Sequence, residues 1–424
     1  MNLYNILHCV LLEVFCCEVE ILCITVFGTL VFTRLSVHQR TCFMRKRYMH
    51  ISAPLNMSFQ LHYFTFKLFA MKKRLFLFIG VLCSFGFYSC QKSVGNSNQL
   101  QTEEASVAAR PGSESTFFDP SGLISASQHG KLDTIQKAFS FTEGPAVDKY
   151  GNVFFTDQPN DKIYRWDASN GAITTFLTGT GRSNGMAFDK DGNLIACADM
   201  HGELWKIHPD GTHEVLVNNY NGKLLNGPND VWINPVTGGM YITDPIFPRD
   251  YWDASDPRKQ PWEPTHSEQA ATGKGGHVYY LAPGSHSLVR VTTMPGWNAD
   301  SWPNGIVGTP DGKKIYINQW SYNNSGGIWV FDINPDGTLS NIQTFGPRMN
   351  FCDGMSMDEL GNVYVSGGVG VNAFDPGGNK ILTISAGGGT NNVFAGKNNK
   401  LLFMTGPVDR VTSVQMNVKG VERF

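Results

Sequence analysis

The sequence predicts an all-β protein, a six-bladed β-propeller with a central channel, over residues 131–424. Short apolar segments bounded by Gly, Asn, Asp or Pro recur throughout this region, a pattern typical of strands and tight turns. Six similar segments also follow one another along it. Division of the region by six gives roughly 48 residues for each segment, which is the size of a four-stranded propeller blade.

Each of the six segments begins with a polar residue ahead of a turn and an apolar strand. These residues are Glu143, Asn184, Asn229, Asn304, Asp353 and Asn391. The step from the polar residue to the turn is eight positions in five segments and nine in the third, from Asn229 to Gly238. Six blades in a circle would place these oxygen-bearing side chains in a ring, which suits a hard cation. A simple turn-forming role is the alternative, and it is favoured for Asn184 and Asn391.

The composition and the positions of the cysteines argue against a nucleic-acid-binding protein and against a disulfide-rich domain. Charged residues are 17% of the 424 residues and the formal net charge is -2, without the clustered Lys and Arg of a nucleic-acid-binding surface. Seven of the nine cysteines lie at or before Cys90. Only Cys197 and Cys352 follow, so we expect no disulfide scaffold in the propeller.

Residues 71–90 have the pattern of a lipoprotein-type signal peptide. A basic start at 71–74 precedes an apolar run at 75–87 and then Cys90, the predicted lipidation site. We therefore expect an exported protein that is anchored to a membrane of the bacterial cell envelope and faces the periplasm or the exterior. The residues just before Cys90 depart from the usual Leu-small-small pattern, which leaves soluble secretion and a retained membrane anchor as alternatives.

The signal peptide is preceded by residues 1–70 and followed by residues 91–130, and neither segment is predicted to be part of the propeller. Signals of this type start at the first residue, so we expect Met71 to be the true start and residues 1–70 to be a non-native upstream extension. A membrane span within 1–70 would have to bury three glutamates, which is costly. Residues 91–130 begin as a polar, Ser- and Gly-containing stretch and are predicted to be a flexible linker.

Two further features bear on function. The longest gap between segments, 246–276, contains two Trp and several Pro, and is predicted to be an inserted loop near the channel mouth. Gly181 to Gly185 matches the G-x-S-x-G pattern of a serine nucleophile. Because a β segment and not a helix follows it, a serine hydrolase is not favoured.

Several motifs, in this order and spacing, are shared with a known family. They are Glu143-Gly144-Pro145, then Asn226 to Asp230 leading to Thr243-Asp244-Pro245, then Pro303-Asn304-Gly305, and Asp353-Gly354-Met355. They resemble the SMP-30/gluconolactonase/luciferin-regenerating family of six-bladed propellers, which includes lactonases and phosphotriesterase-like hydrolases. The resemblance covers about residues 135–415.

The resemblance implies a divalent cation in the central channel. Carried over residue by residue, its ligands would be Glu143, Asn304 and Asp353, with Asn229 as the fourth, and Asp353 would also act as general base or nucleophile. Oxygen ligands favour Ca²⁺, with Mg²⁺, Mn²⁺ or Zn²⁺ as alternatives. Substrate contacts are predicted for Asn229, Asp230, Asn184 and Trp302, although Trp302 could instead pack between blades.

The leading functional hypothesis is a metal-dependent hydrolase that opens a sugar-acid lactone. One alternative is a hydrolase of phosphate triesters or other esters on the same site. Another is a non-catalytic propeller that binds a glycan or a protein and uses the cation structurally. The Arg that many sugar lactonases place before the Asn-Asp pair is absent, since Gly227 and Pro228 stand there, and this leaves the substrate open.

The signal-peptide interpretation predicts that Cys90 is the mature, acylated N-terminus. Mass spectrometry of the native protein should find no peptide upstream of Met71, and peptides from 1–70 would contradict the assignment. Cys90→Ser should move the protein from the membrane fraction to the soluble fraction, because the acylated side chain is lost. Cys83→Ser, inside the apolar run, is the matched control and should leave the protein membrane-bound.

Overall fold

A computed structural model describes residues 117–421 and the backbone of four N-terminal strands. Within 117–421 the undescribed residues are 129–131, 246, 248, 250–275, 293–301, 322–325 and 408. The chain divides into two compact units, Met1–Ser93 and Val94–Phe424. The predicted signal peptide, including Met71 and Cys90, lies outside the described residues, and so does the predicted insertion apart from Phe247, Arg249 and Gly276.

The first unit contains two antiparallel hairpins. Their paired strands are His8–Phe15 with Glu18–Thr25, and Thr33–His38 with Thr41–Lys46. In the part of the chain that the structure describes, no helix is long and apolar enough to cross a membrane.

The second unit contains six antiparallel sheets, here called blades 1 to 6. Listed from the channel outward, their strands are Thr142–Val147, Val153–Asp157, Lys162–Trp166 and Ile173–Thr178 in blade 1; Met186–Phe188, Leu194–Ala198, Glu203–Ile207 and His213–Val217 in blade 2; Val231–Ile233, Met240–Asp244, His277–Leu281 and Leu288–Arg290 in blade 3; Trp302–Gly308, Lys314–Trp320, Gly327–Ile333 and Leu339–Phe345 in blade 4; Met355–Met357, Val363–Gly367, Gly370–Phe374, Lys380–Ser385 and Phe117–Phe118 in blade 5; and Asn392–Ala395, Leu401–Met404, Arg410–Gln415 and Asp133–Lys137 in blade 6. Short additional elements are the hairpin Asn219–Tyr220 with Lys223–Leu224, and 3-10 turns at Ala126–Gln128, Gln158–Asn160 and Asp199–His201.

The first strands of the blades contact one another in sequence and return from blade 6 to blade 1, which closes the ring. Strand Asp133–Lys137 precedes blade 1 in the chain but pairs with Arg410–Gln415 and completes blade 6, so segments far apart in sequence join to close the ring. Six apolar clusters fill the spaces between the six pairs of neighbouring blades. The predicted six-bladed propeller is thus confirmed. Cys197 and Cys352 are free and buried in different clusters.

The propeller begins earlier than the predicted linker allows. Phe117–Phe118 pairs with the outer edge of blade 5, and Leu123 is buried in the cluster between blades 5 and 6. The Asp119 carboxylate accepts hydrogen bonds from the backbone of Leu123 and Ile124 at 2.9 and 2.8 Å. Residues 117–128 of the predicted 91–130 linker therefore belong to the folded domain. The strand Phe117–Phe118 has only two residues and follows a polar stretch, so the sequence pattern did not indicate it.

The constant step in each repeat has a backbone cause. All six turn residues have positive φ, which glycine adopts without strain and Asn tolerates: Gly151, Gly192, Gly238, Gly312, Gly361 and Asn399. The turn is thus fixed at one place in each blade, and the polar residue before it is fixed at the inner end of the same blade.

A second glycine in four repeats allows the inner strands to approach one another. It directly follows the polar residue, at Gly144, Gly185, Gly305 and Gly354, and a Cβ there would overlap atoms of the next blade. At Gly305 the overlapping atom would be the backbone oxygen of Asp353. The polar residue and its glycine together therefore mark the point where neighbouring blades meet.

Gly305→Ala should destabilise the propeller by about 2 kcal/mol, within the range for overpacking, because the new methyl group meets the backbone of blade 5. Urea unfolding measures this change. Gly377→Ala is the control, since its Cβ would approach only the side chains of Asn379 and Asp375 at 3.2 Å. Equal stabilities of the two variants would show that the blades do not depend on this close approach.

Candidate active site in the central channel

Five of the six repeat residues line one cavity of about 410 Å³, and they are Glu143, Asn184, Asn229, Asn304 and Asp353. They come from five different blades, so the cavity lies where the inner strands converge. The structure therefore brings together all four predicted cation ligands, including the predicted catalytic residue Asp353.

The sixth repeat residue, Asn391, is turned away from this cavity. Its side-chain oxygen accepts a hydrogen bond from the backbone N–H of Asn392 at 2.8 Å, which is a turn-forming role. Its side chain also lowers the pKa of both Glu143 and Asp230, so it lies beside both carboxyl groups. Asn391 and Asp230 both line a smaller cavity of about 120 Å³. Asn391 therefore links the two cavities and does not extend the ring of oxygens in the larger one.

Two of the four predicted substrate contacts are displaced from the larger cavity. Asn184 and Asn229 line it, but Asp230 and Trp302 do not. Asp230 directly follows Asn229 but lines the smaller cavity instead. Trp302 packs against Phe247 and Trp320, with ring centroids at 5.6 and 5.1 Å, and so lies behind residues that do line the cavity.

Burial dominates the electrostatics of the site. It raises the pKa of Glu143 to about 8, although the Gly144 N–H donates to the Glu143 Oε2 at 3.1 Å and acts in the opposite direction. Burial also raises the pKa of Asp230 to about 7. Burial and then the negative charges of Glu143 and Asp230 hold the pKa of Asp353 well above its usual range. Three crowded carboxyl groups make the site attractive to a positive charge.

One positive charge comes from the predicted insertion. Arg249 lines the cavity and lowers the pKa of both Glu143 and Asp353. Its Nε donates to the Oδ2 of Asp199 at 2.9 Å, and the Asp199 side chain is 2% exposed. Gln158 donates to the same oxygen at 3.0 Å. The prediction that the insertion lies near the channel mouth agrees with the positions of Phe247 and Arg249, but the sequence alone did not single out Arg249.

An aromatic wall, formed by Phe247, Trp320 and Phe351, closes one side of the cavity. Trp320 contacts both other rings, with centroids at 5.6 Å from Phe247 and 5.5 Å from Phe351. None of these three aromatic residues belongs to the set predicted from the sequence. The available signal was weak: Trp320 ends the second strand of blade 4, and Phe351 lies two positions before Asp353.

The second strand of several blades holds the main chain of a ring residue in the next blade. Thr243 donates to the backbone oxygen of Asn304 at 2.8 Å, and Thr156 donates to that of Asn184 at 3.4 Å. The Asn318 side chain donates to the backbone oxygen of Asp353. A sequence signal existed, since a residue with a short polar side chain or a thiol lies at or near the end of the second strand in every repeat: Thr156, Cys197, Thr243, Asn318, Ser366 and Thr405.

The side chains of the larger cavity fit a hard divalent cation. Two carboxyl groups and three amides offer only oxygen ligands, and the Asn184 side-chain oxygen is buried without a hydrogen-bond partner. Among the described residues, no group of three His, Cys, Asp or Glu side chains is arranged to hold a metal ion. Amide oxygens would therefore have to complete any ligand set.

Many different proteins are propellers with polar side chains in the central channel. Comparison with known sequences shows to which family this chain belongs. Residues 141–406 match the family described as the SMP-30/Gluconolactonase/LRE-like region. The chain belongs to this family, which confirms the resemblance seen in the motifs. It is 26% identical over 301 residues to a gluconolactonase of Zymomonas mobilis, a match that covers 65% of this chain and 78% of the relative.

Solved structures agree on the fold. A gluconolactonase of Xanthomonas campestris superimposes with a TM-score of 0.57 at 24% identity, over 73% of this chain and 99% of that chain. The calcium-binding protein regucalcin of Agrobacterium tumefaciens superimposes with a TM-score of 0.53 at 17% identity, over 69% of this chain and 95% of that chain.

Thr243→Val should destabilise the domain by about 2 kcal/mol, because it leaves two buried backbone groups without partners. Besides donating to Asn304, the Thr243 hydroxyl accepts from the Asp230 N–H at 2.9 Å. Thermal and urea unfolding measure the loss. Thr175→Val, at an exposed position of an outer strand, is the matched control and should change stability by less than about 0.5 kcal/mol. A Thr243→Val variant as stable as this control would contradict the supporting role.

Proposed function

We propose that this protein is a cation-dependent hydrolase that opens a lactone, with the cavity formed by Glu143, Asn184, Asn229, Asn304 and Asp353 as its active site. The observation that carries the proposal is the gathering of these five oxygen-bearing side chains in one cavity of a gluconolactonase-family propeller. The Zymomonas mobilis relative, a gluconolactonase, supports a sugar-acid lactone as the substrate class.

Glu143, Asn229, Asn304 and Asp353 would hold the cation, and Ca²⁺ is the ion that this oxygen set suits best. When bound, it would supply a Lewis acid that polarises the lactone carbonyl. The raised pKa values of Glu143 and Asp353 in the site, and of Asp230 beside it, support a role for a bound positive charge.

Asp353 is the residue that we assign to proton transfer. It would accept a proton from water as the water oxygen bonds to the lactone carbonyl carbon. The ring C–O bond then breaks, and the leaving oxygen takes the proton back from Asp353, so the product is the open hydroxy acid. No other proton carrier is needed, which makes one carboxylate sufficient for the reaction.

Arg249 and the aromatic wall would orient the substrate. The guanidinium lies on the cavity wall, held by Asp199, and can donate hydrogen bonds to substrate oxygens. Phe247, Trp320 and Phe351 present apolar surface on which the C–H face of a sugar ring can lie, and they exclude water from that side. We assign substrate selection to these residues because they line the cavity without belonging to its ring of polar residues.

We also propose that the enzyme acts in the cell envelope, tethered through Cys90 to a membrane. The support is the basic start, apolar run and Cys of residues 71–90. A polar stretch between Cys90 and Phe117 would separate the propeller from the membrane surface, so that the cavity remains open to small soluble substrates.

Asp353→Asn should reduce kcat for lactone opening by at least about 10²-fold at saturating cation, because the amide cannot accept the proton. Asp210→Asn, in an exposed turn outside the cavity, is the matched control and should retain full activity. Glu143→Gln should mainly weaken cation binding and recover activity in part when cation is added. The assay is lactone hydrolysis by metal-stripped protein, before and after Ca²⁺ is restored.

The substrate panel separates the competing functions. It should contain sugar-acid lactones, an aryl ester and a phosphate triester. Near-normal lactone opening by Asp353→Asn at saturating Ca²⁺ would disprove the mechanism. Turnover of the triester or ester alone would support the alternative hydrolase, and no turnover of any substrate would support a binding propeller.

A further inference from the structure

We propose that Asn184 is a fifth protein ligand of the cation and that it makes the site selective for Ca²⁺ over Mg²⁺. This inference rests on the proposed function, in which four other residues hold the cation. Asn184 occupies the same repeat position as those four, and it lines the same cavity.

The side-chain oxygen of Asn184 is buried but accepts no hydrogen bond. The residue as a whole is 2% exposed. A buried polar atom left in this state is costly, and a cation in the cavity would satisfy it.

The backbone around Asn184 is fully held, so the side chain is presented to the cavity by a fixed strand. The Asn184 N–H donates to the Cys197 oxygen at 2.9 Å, and the Asn184 oxygen accepts from Thr156 at 3.4 Å. The following N–H, of Gly185, donates to the Asn229 oxygen at 2.6 Å. Blade 2 is thereby tied to blade 3 beside the predicted ligand Asn229.

The turn-forming role favoured for Asn184 from its sequence is not what the structure contains. Asn391, at the equivalent position, uses its side-chain oxygen to accept from the next backbone N–H. Asp230 does the same with the N–H of Val231 at 2.9 Å. In blade 2 that N–H, of Gly185, is already bonded to Asn229, so the Asn184 oxygen remains available to a ligand.

Five protein oxygens favour Ca²⁺ for geometric reasons. Ca²⁺ accepts about six to eight oxygens in flexible geometry, so about one to three positions would remain for water and substrate. Mg²⁺ requires a near-ideal octahedron and usually keeps several waters, which a crowded ring on a rigid propeller would displace. A fifth amide should therefore help Ca²⁺ more than Mg²⁺.

The test is calorimetric titration of the metal-stripped full-length protein with Ca²⁺ and, separately, with Mg²⁺. Asn184→Ala should weaken Ca²⁺ binding at least tenfold and change Mg²⁺ binding by less than threefold. Asn193→Ala, a buried Asn in the same blade that bonds to Asp189 outside the cavity, is the matched control and should bind both ions as the wild type does. Asn184→Asp keeps the oxygen and adds a charge, so it should bind Ca²⁺ more tightly than the wild type.

Each outcome of the titrations either supports or contradicts the ligand role of Asn184. Equal Ca²⁺ affinity of Asn184→Ala and wild type would overturn this inference and leave the proposed function standing. An equal loss for Ca²⁺ and Mg²⁺ would overturn the selectivity. If Asn184→Ala does not fold, Asn184→Asp decides: tighter Ca²⁺ binding supports the ligand role and unchanged binding overturns it. A wild type that binds neither ion would overturn both proposals.

Discussion

The close approach of six inner strands around one axis is the constraint on which the rest of this structure depends. The strands meet where Gly144, Gly185, Gly305 and Gly354 leave no side chain between one blade and the backbone or side chain of the next. The residue before each of these glycines lines the larger cavity. A ring of polar side chains is thus a consequence of how the blades close, and its chemistry depends on which residues occupy those places.

Closure of the ring of blades buries carboxyl groups, and their burial is energetically unfavourable. Their presence therefore calls for a functional reason. Glu143, Asp230 and Asp353 lie close enough to raise one another's pKa or to share the partner Asn391. A propeller without a ligand in its channel would gain nothing from this arrangement, since replacing buried charges by apolar residues is often stabilising. Retained buried carboxyl groups with raised pKa values are a common mark of functional sites.

Substrate selection and cation binding are assigned to different parts of the molecule. The proposed cation ligands come from the repeat, one residue from each of several blades, and their placement follows from the propeller itself. The aromatic wall and Arg249 come from loops and strand ends outside the ring of polar residues. Loops on a rigid scaffold can change without disturbing the ring, so a family with one fold can act on different substrates.

The sequence by itself determined the fold class, the number of blades and the residues of the ring, because each of these depends on short-range spacing. A polar residue with a turn eight or nine positions later marks each blade, and in four of the six a glycine directly follows the polar residue. Only the tertiary structure decided which way each ring residue faces: Asn184 lines the larger cavity, while Asn391 and Asp230 turn to the smaller one. It also placed Trp302 behind the wall, brought Arg249 to the cavity through the buried Asp199, and added Phe117–Phe118 to blade 5. These outcomes depend on contacts between residues far apart in the chain, and local patterns do not record such contacts.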